Sequence, residues 1–257
     1  MTGYKVTREM FTQKMNILIY GDPGAGKTYL AGTAEDVPEM KNVHFFNIDG
    51  GLMTLADRGD ITATDVHSVG DLETEFYKIA NKDKEYEGVK TVVIDNISEL
   101  LILGLEETTR KEYAARVKKD KNYSIDEVYL EDYGVTGKRI ARILRGFRDL
   151  PIHVIYVAHK KDKMRQGTNV LESSCPNLTD KLCTSVCGYM DCVWYLYTAD
   201  EQVEHNGQYE TVMHRYLLTQ PYNKFVAKTR NPEFAAKLGA FVKDPNFKDI
   251  MSAYKGA

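Results

Sequence analysis

The sequence has few cysteines, and their spacing fits neither a zinc site nor a disulfide framework. The four are Cys175, Cys183, Cys187 and Cys192. They form no pair of C-x₂-C knuckles, and no histidine stands near them in the sequence to complete a set of zinc ligands. We therefore expect reduced, buried thiols and no structural metal.

Long hydrophobic runs are also missing. No stretch approaches the roughly 18 consecutive apolar residues of a membrane-spanning helix. Residues 1–14 are polar and lack the apolar region of a secretory signal. The sequence therefore predicts a cytoplasmic protein that has no membrane partner.

A positive net charge is missing as well, because 34 lysines and arginines stand against 37 acids, a formal net charge of −3. This balance excludes the strongly basic profile of many DNA-binding proteins, although a local basic surface stays open. The length of 257 residues, 43% of them hydrophobic and 28% charged, suits an α/β domain. We predict one domain over residues 1–257, with its core at about 14–230 and a short helical tail at 231–257.

Short apolar runs alternate with longer helical patterns, which is typical of βαβ units and a mainly parallel sheet. The predicted strands are residues 16–20, 43–48, 91–94 and 152–158, and the main predicted helices are 27–34, 98–119 and 135–148. After Cys192 the pattern changes to antiparallel strands at 193–198 and 209–219, joined by an Asn-Gly turn, with another strand at 225–228. The predicted fold is therefore α/β, a mainly parallel central sheet flanked by helices, with an antiparallel hairpin extension.

A glycine-rich stretch fits the pattern G-x-x-x-x-G-K-[ST] and lies between a predicted strand and a predicted helix. In such a loop, backbone N–H groups surround phosphate oxygens, and the next helix presents the positive end of its dipole. We predict that the loop binds ATP with Mg²⁺, with Lys27 on the β- and γ-phosphates and the Thr28 hydroxyl on the metal. The predicted nucleotide-binding residues are Gly21, Asp22, Pro23, Gly24, Ala25, Gly26, Lys27, Thr28 and Tyr29.

Another apolar strand ends at Asp95, the arrangement of a Walker B carboxylate, so Thr28 and Asp95 are the predicted metal ligands. The next residue is Asn96 rather than the glutamate that often serves as the base, so a base must come from elsewhere. Asp49 ends the neighbouring strand at the same edge of the sheet and is the candidate. The alternative is a structural turn, because Asp-Gly-Gly is ordinary turn sequence.

His159 ends the fourth predicted strand, where it could donate a hydrogen bond to the γ-phosphate and sense its loss; an ordinary surface histidine is the alternative. A flexible basic loop is predicted to follow at residues 160–169, suited to the backbone of single-stranded DNA. A solvated run of charges is the alternative there. The predicted DNA-binding residues are Lys160, Lys161, Lys163 and Arg165.

Lys228 and Arg230 end the final predicted strand, and side chains at i and i+2 of a strand point the same way. They could reach the γ-phosphate of a neighbouring subunit, as arginine fingers do, or they could be two surface cations. The predicted catalytic residues are Lys27, Asp49, Asp95, His159, Lys228 and Arg230.

The glycine loop, the Walker B strand without a following glutamate, the antiparallel hairpin and the Lys-x-Arg ending together resemble the RecA-like core ATPases. They resemble more closely the phage-encoded, core-only members labelled AAA-family ATP-binding proteins. The resemblance covers about residues 16–230 and continues into the short helical tail. It implies a DNA-stimulated ATPase of phage recombination, single-strand annealing or replication, located in the host cytoplasm. It also implies a homo-oligomer, a ring or a filament, that acts on single-stranded DNA, with a single-strand-binding protein as a further partner.

Within that resemblance, Asp49 takes the place of a commoner glutamate, and Lys228 and Arg230 act in trans. Two other functions stay open. The missing glutamate after Asp95 and the short side chain of Asp49 also suit an ATP-switched DNA-binding module that has negligible turnover. A small-molecule P-loop kinase would need an arginine-rich lid, and only residues 160–165 could supply one.

Overall fold

The computed structural model describes residues 14–205 and 208–255 and places ten strands in that part of the chain. The strands are β1 (Asn16–Gly21), β2 (Val43–Asn47), β3 (Thr62–Asp65), β4 (Thr91–Asp95), β5 (His153–Met164), β6 (Leu171–Pro176), β7 (Cys192–His205), β8 (Gln208–Leu218), β9 (Lys228–Thr229) and β10 (Phe241–Lys243). The helices are α1 (Lys27–Gly32), α2 (Val69–Ala80), α3 (Ile97–Lys119), α4 (Leu130–Asp149), α5 (Asp180–Tyr189), α6 (Pro232–Leu238) and α7 (Phe247–Lys255). None of these helices is long and apolar enough to cross a membrane.

The strands form one sheet in the order β10-β8-β7-β1-β5-β4-β2-β3. Every pairing from β7 across to β3 is parallel, whereas β8 and β10 are antiparallel to their neighbours. Off this path, β6 pairs with β5 and β9 pairs with β7, both antiparallel. The predicted α/β fold with a mainly parallel sheet and an antiparallel hairpin is therefore confirmed.

Helices cover both faces of the sheet, because the side chains of each central strand alternate between the two faces. Leu18 and Tyr20 of β1 pack with α2, α3, α4 and α5 on one face. Ile17 and Ile19 pack with α1, α6 and α7 on the other. Burial on both faces explains why residues 17–20 of β1 form a continuous apolar run rather than an alternating one. It also leaves the carboxyl ends of the parallel strands as the edge where a ligand can approach.

Two predictions about the strands were wrong in part. β7 is antiparallel to β8, but it is also parallel to β1, so the parallel sheet continues past Cys192. The strand predicted at 225–228 is reduced to β9, and β10 follows it, so Lys228 does not belong to the final strand. The Asn-Gly turn predicted at 206–207 lies outside the described residues.

The prediction of a flexible basic loop at residues 160–169 was wrong for 160–164, which belong to a strand. β5 does not end at His159 but continues to Met164 and pairs with β6, forming a hairpin. Its outer residues are charged, so they lack the alternating apolar pattern that marks a strand. They form a strand because they pair with β6, where Lys160 lies opposite Pro176 and Met164 lies opposite Leu171.

Candidate active site

The glycine-rich loop joins β1 to α1, and its glycines are required by its backbone. Gly24 and Gly26 have φ angles of 78° and 92°, which residues with a side chain rarely adopt. At Gly21, a Cβ would collide with the carbonyl oxygen of Leu196 on the adjacent strand β7. The sequence pattern therefore corresponds to a loop in which backbone N–H groups can approach an anion closely.

Lys27 lies against this loop. Its Nζ donates to the backbone carbonyls of Gly21, at 3.2 Å, and Asp22, at 2.9 Å. Burial lowers the pKa of the Lys27 ammonium, while Asp95 and Asp22 raise it. Among residues 14–205 and 208–255, these two loop carbonyls are the only hydrogen-bond partners of the Lys27 ammonium, which is therefore well placed to exchange them for phosphate oxygens.

The two predicted metal ligands are brought together. The Thr28 hydroxyl donates to Asp95 Oδ2 at 2.6 Å, which links the start of α1 to the end of β4. Asp95 is only 2% exposed, and burial raises the pKa of its carboxyl to about 6. Mg²⁺ is bound in proteins by one or two carboxylates, hydroxyl groups and substrate phosphates, so this pair fits that ion. A divalent cation would also compensate the buried negative charge.

Asn96 connects the remaining residues predicted at this edge. Its Nδ2 donates to Asp49 Oδ2 at 2.5 Å and lies 3.2 Å from His159 Nε2. Its Oδ1 accepts from the backbone N–H of Glu99 at 2.8 Å, so the same side chain caps α3. Sequence reasoning regarded Asn96 only as a missing glutamate. The cap could have been read from Asn-x-x-Glu before an apolar run, but the contacts to two other strands could not.

The hydrogen bonding of His159 leaves one ring nitrogen unpaired. If Asn96 donates to Nε2, the proton of the neutral imidazole sits on Nδ1, which is buried and has no hydrogen-bond partner within residues 14–205 and 208–255. Burial and the nearby Lys27 lower the pKa of His159, so the ring is neutral at pH 7. His159, whose Nε2 faces Asn96, thus has a buried N–H on its other ring nitrogen that lacks an acceptor among the described residues.

Tyr29, the last predicted nucleotide contact, follows Thr28 on α1 and is 44% exposed. The guanidinium carbons of Arg58 and Arg215 lie 5.6 Å and 5.9 Å from its ring centroid. Sequence reasoning missed both arginines. Nothing in the local sequence marks them, because they come from segments far apart in the chain.

Lys228 and Arg230 do not join this group. β9 places Lys228 opposite Val193 of β7, which in turn lies opposite Leu18 of β1, about 10 Å along the sheet before Gly21. Lys228 Nζ donates to the carbonyl of Cys187 at 2.5 Å, and Arg230 donates to the Gly188 carbonyl at 2.9 Å and to Asp191 Oδ1 at 3.2 Å. Both side chains therefore bind the carboxyl end of α5 and the turn after it.

The predicted DNA-binding lysines have acidic partners within the chain. Lys160 Nζ lies 3.2 Å from Asp22 Oδ2 in the glycine-rich loop and 3.2 Å from Asp162 Oδ2. Lys161 and Lys163 both pair with Asp180, at 3.7 Å and 2.8 Å. Arg165, at the tip of the hairpin, makes no ion pair with any described residue. The hairpin that carries these cations is thus attached to the phosphate-binding loop through Lys160.

The comparisons agree with this geometry. A family model described as an AAA domain matches residues 13–231, which include the glycine-rich loop, β4 and all six predicted catalytic residues. A comparison with curated proteins finds no match. Since the family model covers most of the chain and contains the complete phosphate-binding loop, the chain belongs to the AAA-domain family, as a nucleotide-binding domain of the P-loop ATPase type.

Proposed function

We propose that the protein is a Mg²⁺-dependent ATPase that works as a homo-oligomer on single-stranded DNA and that DNA stimulates its hydrolysis. The observation that carries the proposal is the contact of Asn96 with both Asp49 and His159, directly beside the buried metal ligand Asp95. This arrangement supplies a metal ligand, a carboxylate for water and a neutral donor at one edge of the sheet. Those are the groups that phosphoryl transfer to water requires.

Each side chain has a role in this proposal. Lys27 and the loop N–H groups hold the phosphates, and Thr28 and Asp95 hold the metal. When bound, Mg²⁺ neutralises the charge that develops on the phosphate oxygens. Asp49, whose carboxylate is oriented by the Asn96 amide, positions the attacking water and accepts its proton. The Nδ1–H of His159 donates to the terminal phosphate and loses that acceptor after hydrolysis.

Lys228 and Arg230 complete the site in trans in this proposal. Their position toward the amino ends of the parallel strands keeps them away from the phosphate loop of their own chain. A finger at this position requires a second copy, which supports a ring or a filament. To reach a neighbour's phosphate, the Arg230 guanidinium would exchange its hydrogen bonds with Asp191 and the Gly188 carbonyl for phosphate oxygens.

The DNA part of the proposal rests on the continuity of β5. His159 is followed directly by Lys160, so the proposed phosphate sensor and the hairpin belong to one strand. A change at the γ-phosphate can therefore reach the hairpin through His159 and through the Lys160–Asp22 ion pair. Phosphodiester groups would compete with Asp180 for Lys161 and Lys163, and they would find Arg165 without an ion pair. The biological setting that we propose is phage recombination, single-strand annealing or replication, together with a single-strand-binding protein.

The deciding experiment is steady-state ATP hydrolysis by the purified protein with and without single-stranded DNA. We expect hydrolysis that increases with DNA and that is abolished in Lys27→Ala. Arg110→Ala, which removes a cation that is 72% exposed on α3, is the control and should leave hydrolysis unchanged. Hydrolysis that is indifferent to DNA would refute the DNA part of the proposal.

One observation favours a second function, an ATP switch that has negligible turnover. The residue after Asp95 is an amide, and one oxygen of Asp49 already accepts a hydrogen bond from it. ATP-dependent DNA binding without hydrolysis above background would support this alternative. The kinase alternative would use residues 160–165 as its lid, and residues 160–164 pair with β6 in the β5–β6 hairpin.

A further inference from the structure

A cavity lies beside α1, on the side of the glycine-rich loop away from β5. Its volume is about 320 Å³. The wall is built by the start of α1, by two arginines from distant segments and by a loop from the tail: Gly26, Tyr29, Arg58, Arg215, Asp244 and Asn246. The cavity therefore begins at the phosphate-binding loop itself.

Arg215 is the most informative residue of this cavity. Its Nε is buried and has no hydrogen-bond partner, and the side chain makes no ion pair with any residue in the described part of the chain. It lies so close to the loop that a Cβ at Gly26 would come within 2.6 Å of Nε. Leaving a buried donor without an acceptor destabilises the folded state, and more so when the donor is charged. A ligand acceptor in the cavity would remove this cost.

Planar groups line the same cavity. The guanidinium carbons of Arg58 and Arg215 lie 5.6 Å and 5.9 Å from the centroid of the Tyr29 ring, and Asp36 binds Arg58 at 3.0 Å. Aromatic rings and guanidinium planes are the surfaces on which nucleobases stack. The lining thus combines stacking surfaces with an unpaired donor, next to a loop that is built for phosphates.

The third wall comes from the tail. Asp244 Oδ1 accepts the backbone N–H of Arg215 at 3.0 Å, and the Asp244 N–H donates to the carbonyl of Arg215 at 2.7 Å. The backbone N–H of Phe247 donates to Thr33 Oγ1 at 2.9 Å, which ties the tail to the segment after α1. Residues 244–247 lie beyond residue 231, where the family match ends. The tail is therefore fixed in place as part of this cavity.

The geometry points to this cavity as the subsite for the nucleobase and ribose of the bound nucleotide, with the tail after residue 231 as one of its walls. Tyr29 and Arg215 stack on or donate to the nucleoside, and the loop at 244–246 closes over it. The inference rests on the proposed function only in requiring that a nucleotide occupies the glycine-rich loop. Nucleotide binding and tail docking are then linked, since each stabilises the other.

Calorimetric titration with two ligands tests the subsite. Mg²⁺-ATP carries a nucleoside, and Mg²⁺-tripolyphosphate carries the same phosphate chain without one. In Arg215→Gln and Tyr29→Ala we expect the Kd for ATP to rise about tenfold, a typical loss for one stacking contact, and the Kd for tripolyphosphate to change little. Lys27→Ala should weaken both ligands, and Arg110→Ala should weaken neither. Equal losses for the two ligands, or no loss for ATP, would overturn the subsite.

Hydrogen exchange of the wild-type protein tests whether the tail closes over the nucleoside. It needs no substitution, so it can be measured even if a variant does not fold. ATP should slow exchange of the amides at 241–247, and tripolyphosphate should not. If both ligands slow exchange at 241–247 equally, or if neither slows it, the nucleoside subsite is contradicted. The phosphate site of the glycine-rich loop would be unaffected by that result. If the wild-type protein binds neither ligand, the proposed function fails with it, so the two failures are distinguishable.

Discussion

The two edges of the parallel sheet differ in how complete they are. At the carboxyl edge, Thr28 bonds to Asp95 at the end of β4. Asn96 lies within hydrogen-bonding distance of Asp49, just after β2, and of His159 on β5. Lys27 bonds to the carbonyls of the loop after β1. Toward the amino edge, the side chains of Lys228 and Arg230 bond to residues 187–191 and to no other residue in the described part of the chain. One edge holds an assembled site, and the other presents two cations whose proposed target lies on another copy.

This difference separates two kinds of catalytic group. Groups that bind the nucleotide are held by neighbours in the same chain, so their geometry is fixed before any partner arrives. Groups that act in trans are positioned by assembly, so their contribution depends on protein concentration and on the neighbour. Substitutions that remove phosphate contacts at the carboxyl edge should therefore weaken ATP binding. Substitutions of Lys228 and Arg230 should mainly lower turnover.

The largest expected effect is that of Arg230→Ala on turnover. An arginine finger contributes about 10³-fold or more to the rate of hydrolysis, so kcat should fall by about that factor while the Kd for ATP stays within about threefold. Mixing Arg230→Ala with Lys27→Ala should restore part of the activity, because some interfaces then combine an intact phosphate loop with an intact finger. Hydrolysis measured across mixing ratios checks this prediction. Mixtures that stay inactive, or an Arg230→Ala variant that is fully active alone, would contradict action in trans.

Asn96→Asp should have the next largest effect. Aspartate is as good a helix cap as asparagine, so α3 is kept, but the donor that holds Asp49 and His159 is lost. We expect kcat to fall about 10²-fold, as for the loss of one positioned donor in other active sites, with the Kd for ATP nearly unchanged.

Two further variants separate this effect from capping. Asn96→Ala should lose the same activity and about 1 kcal/mol of stability besides. Ser68→Ala removes the equivalent cap of α2, where Ser68 Oγ accepts from Asp71, and should cost similar stability without affecting kcat. If Ser68→Ala and Asn96→Asp lower kcat equally, Asn96 has no special role at the site.

Sequence alone predicted the parts of this molecule that follow local rules. The glycine-rich loop, Thr28 and Asp95 could be selected from the sequence because a turn, a helix start and an apolar strand each leave a short pattern, and the structure brings Thr28 and Asp95 into contact. β3 was missed because its residues are largely exposed and give no alternating apolar signal. The outer half of β5 was missed because it is charged, and ion pairs with Asp22 and Asp180 take the place of apolar packing. The bridge made by Asn96 and the cavity around Arg215 depend on segments distant in sequence, which no local pattern encodes.

The smallest expected effect is a change in the free energy of unfolding in Asp95→Asn. It can be measured at the carboxyl edge without any ligand. Burial raises the pKa of Asp95 from its ordinary 3.8 to about 6, so the folded protein keeps a proton that the unfolded chain has released between these values. The stabilisation due to the protonated carboxyl is thus fully present below about pH 4 and lost as the pH rises through 6. In Asp95→Asn this pH-dependent loss of stability is absent, because an amide does not ionise. The variant should therefore be more stable than the wild type at pH 8, by on the order of 2 kcal/mol, and nearly equal to it at pH 4.

Urea denaturation in EDTA at the two pH values measures this difference, with the exposed Asp57→Asn as the control that should show none. The same Asp95→Asn variant should lose the Mg²⁺-dependent part of ATP binding, because an amide is a much poorer ligand for this cation than a carboxylate. We expect this variant to be more stable without ligand and to lose metal-dependent binding. That combination would indicate that the buried Asp95 carboxylate serves to bind Mg²⁺ and not to stabilise the fold. A variant that is less stable than the wild type at pH 8 would show instead that Asp95 serves the fold, through Thr28, more than it serves the metal.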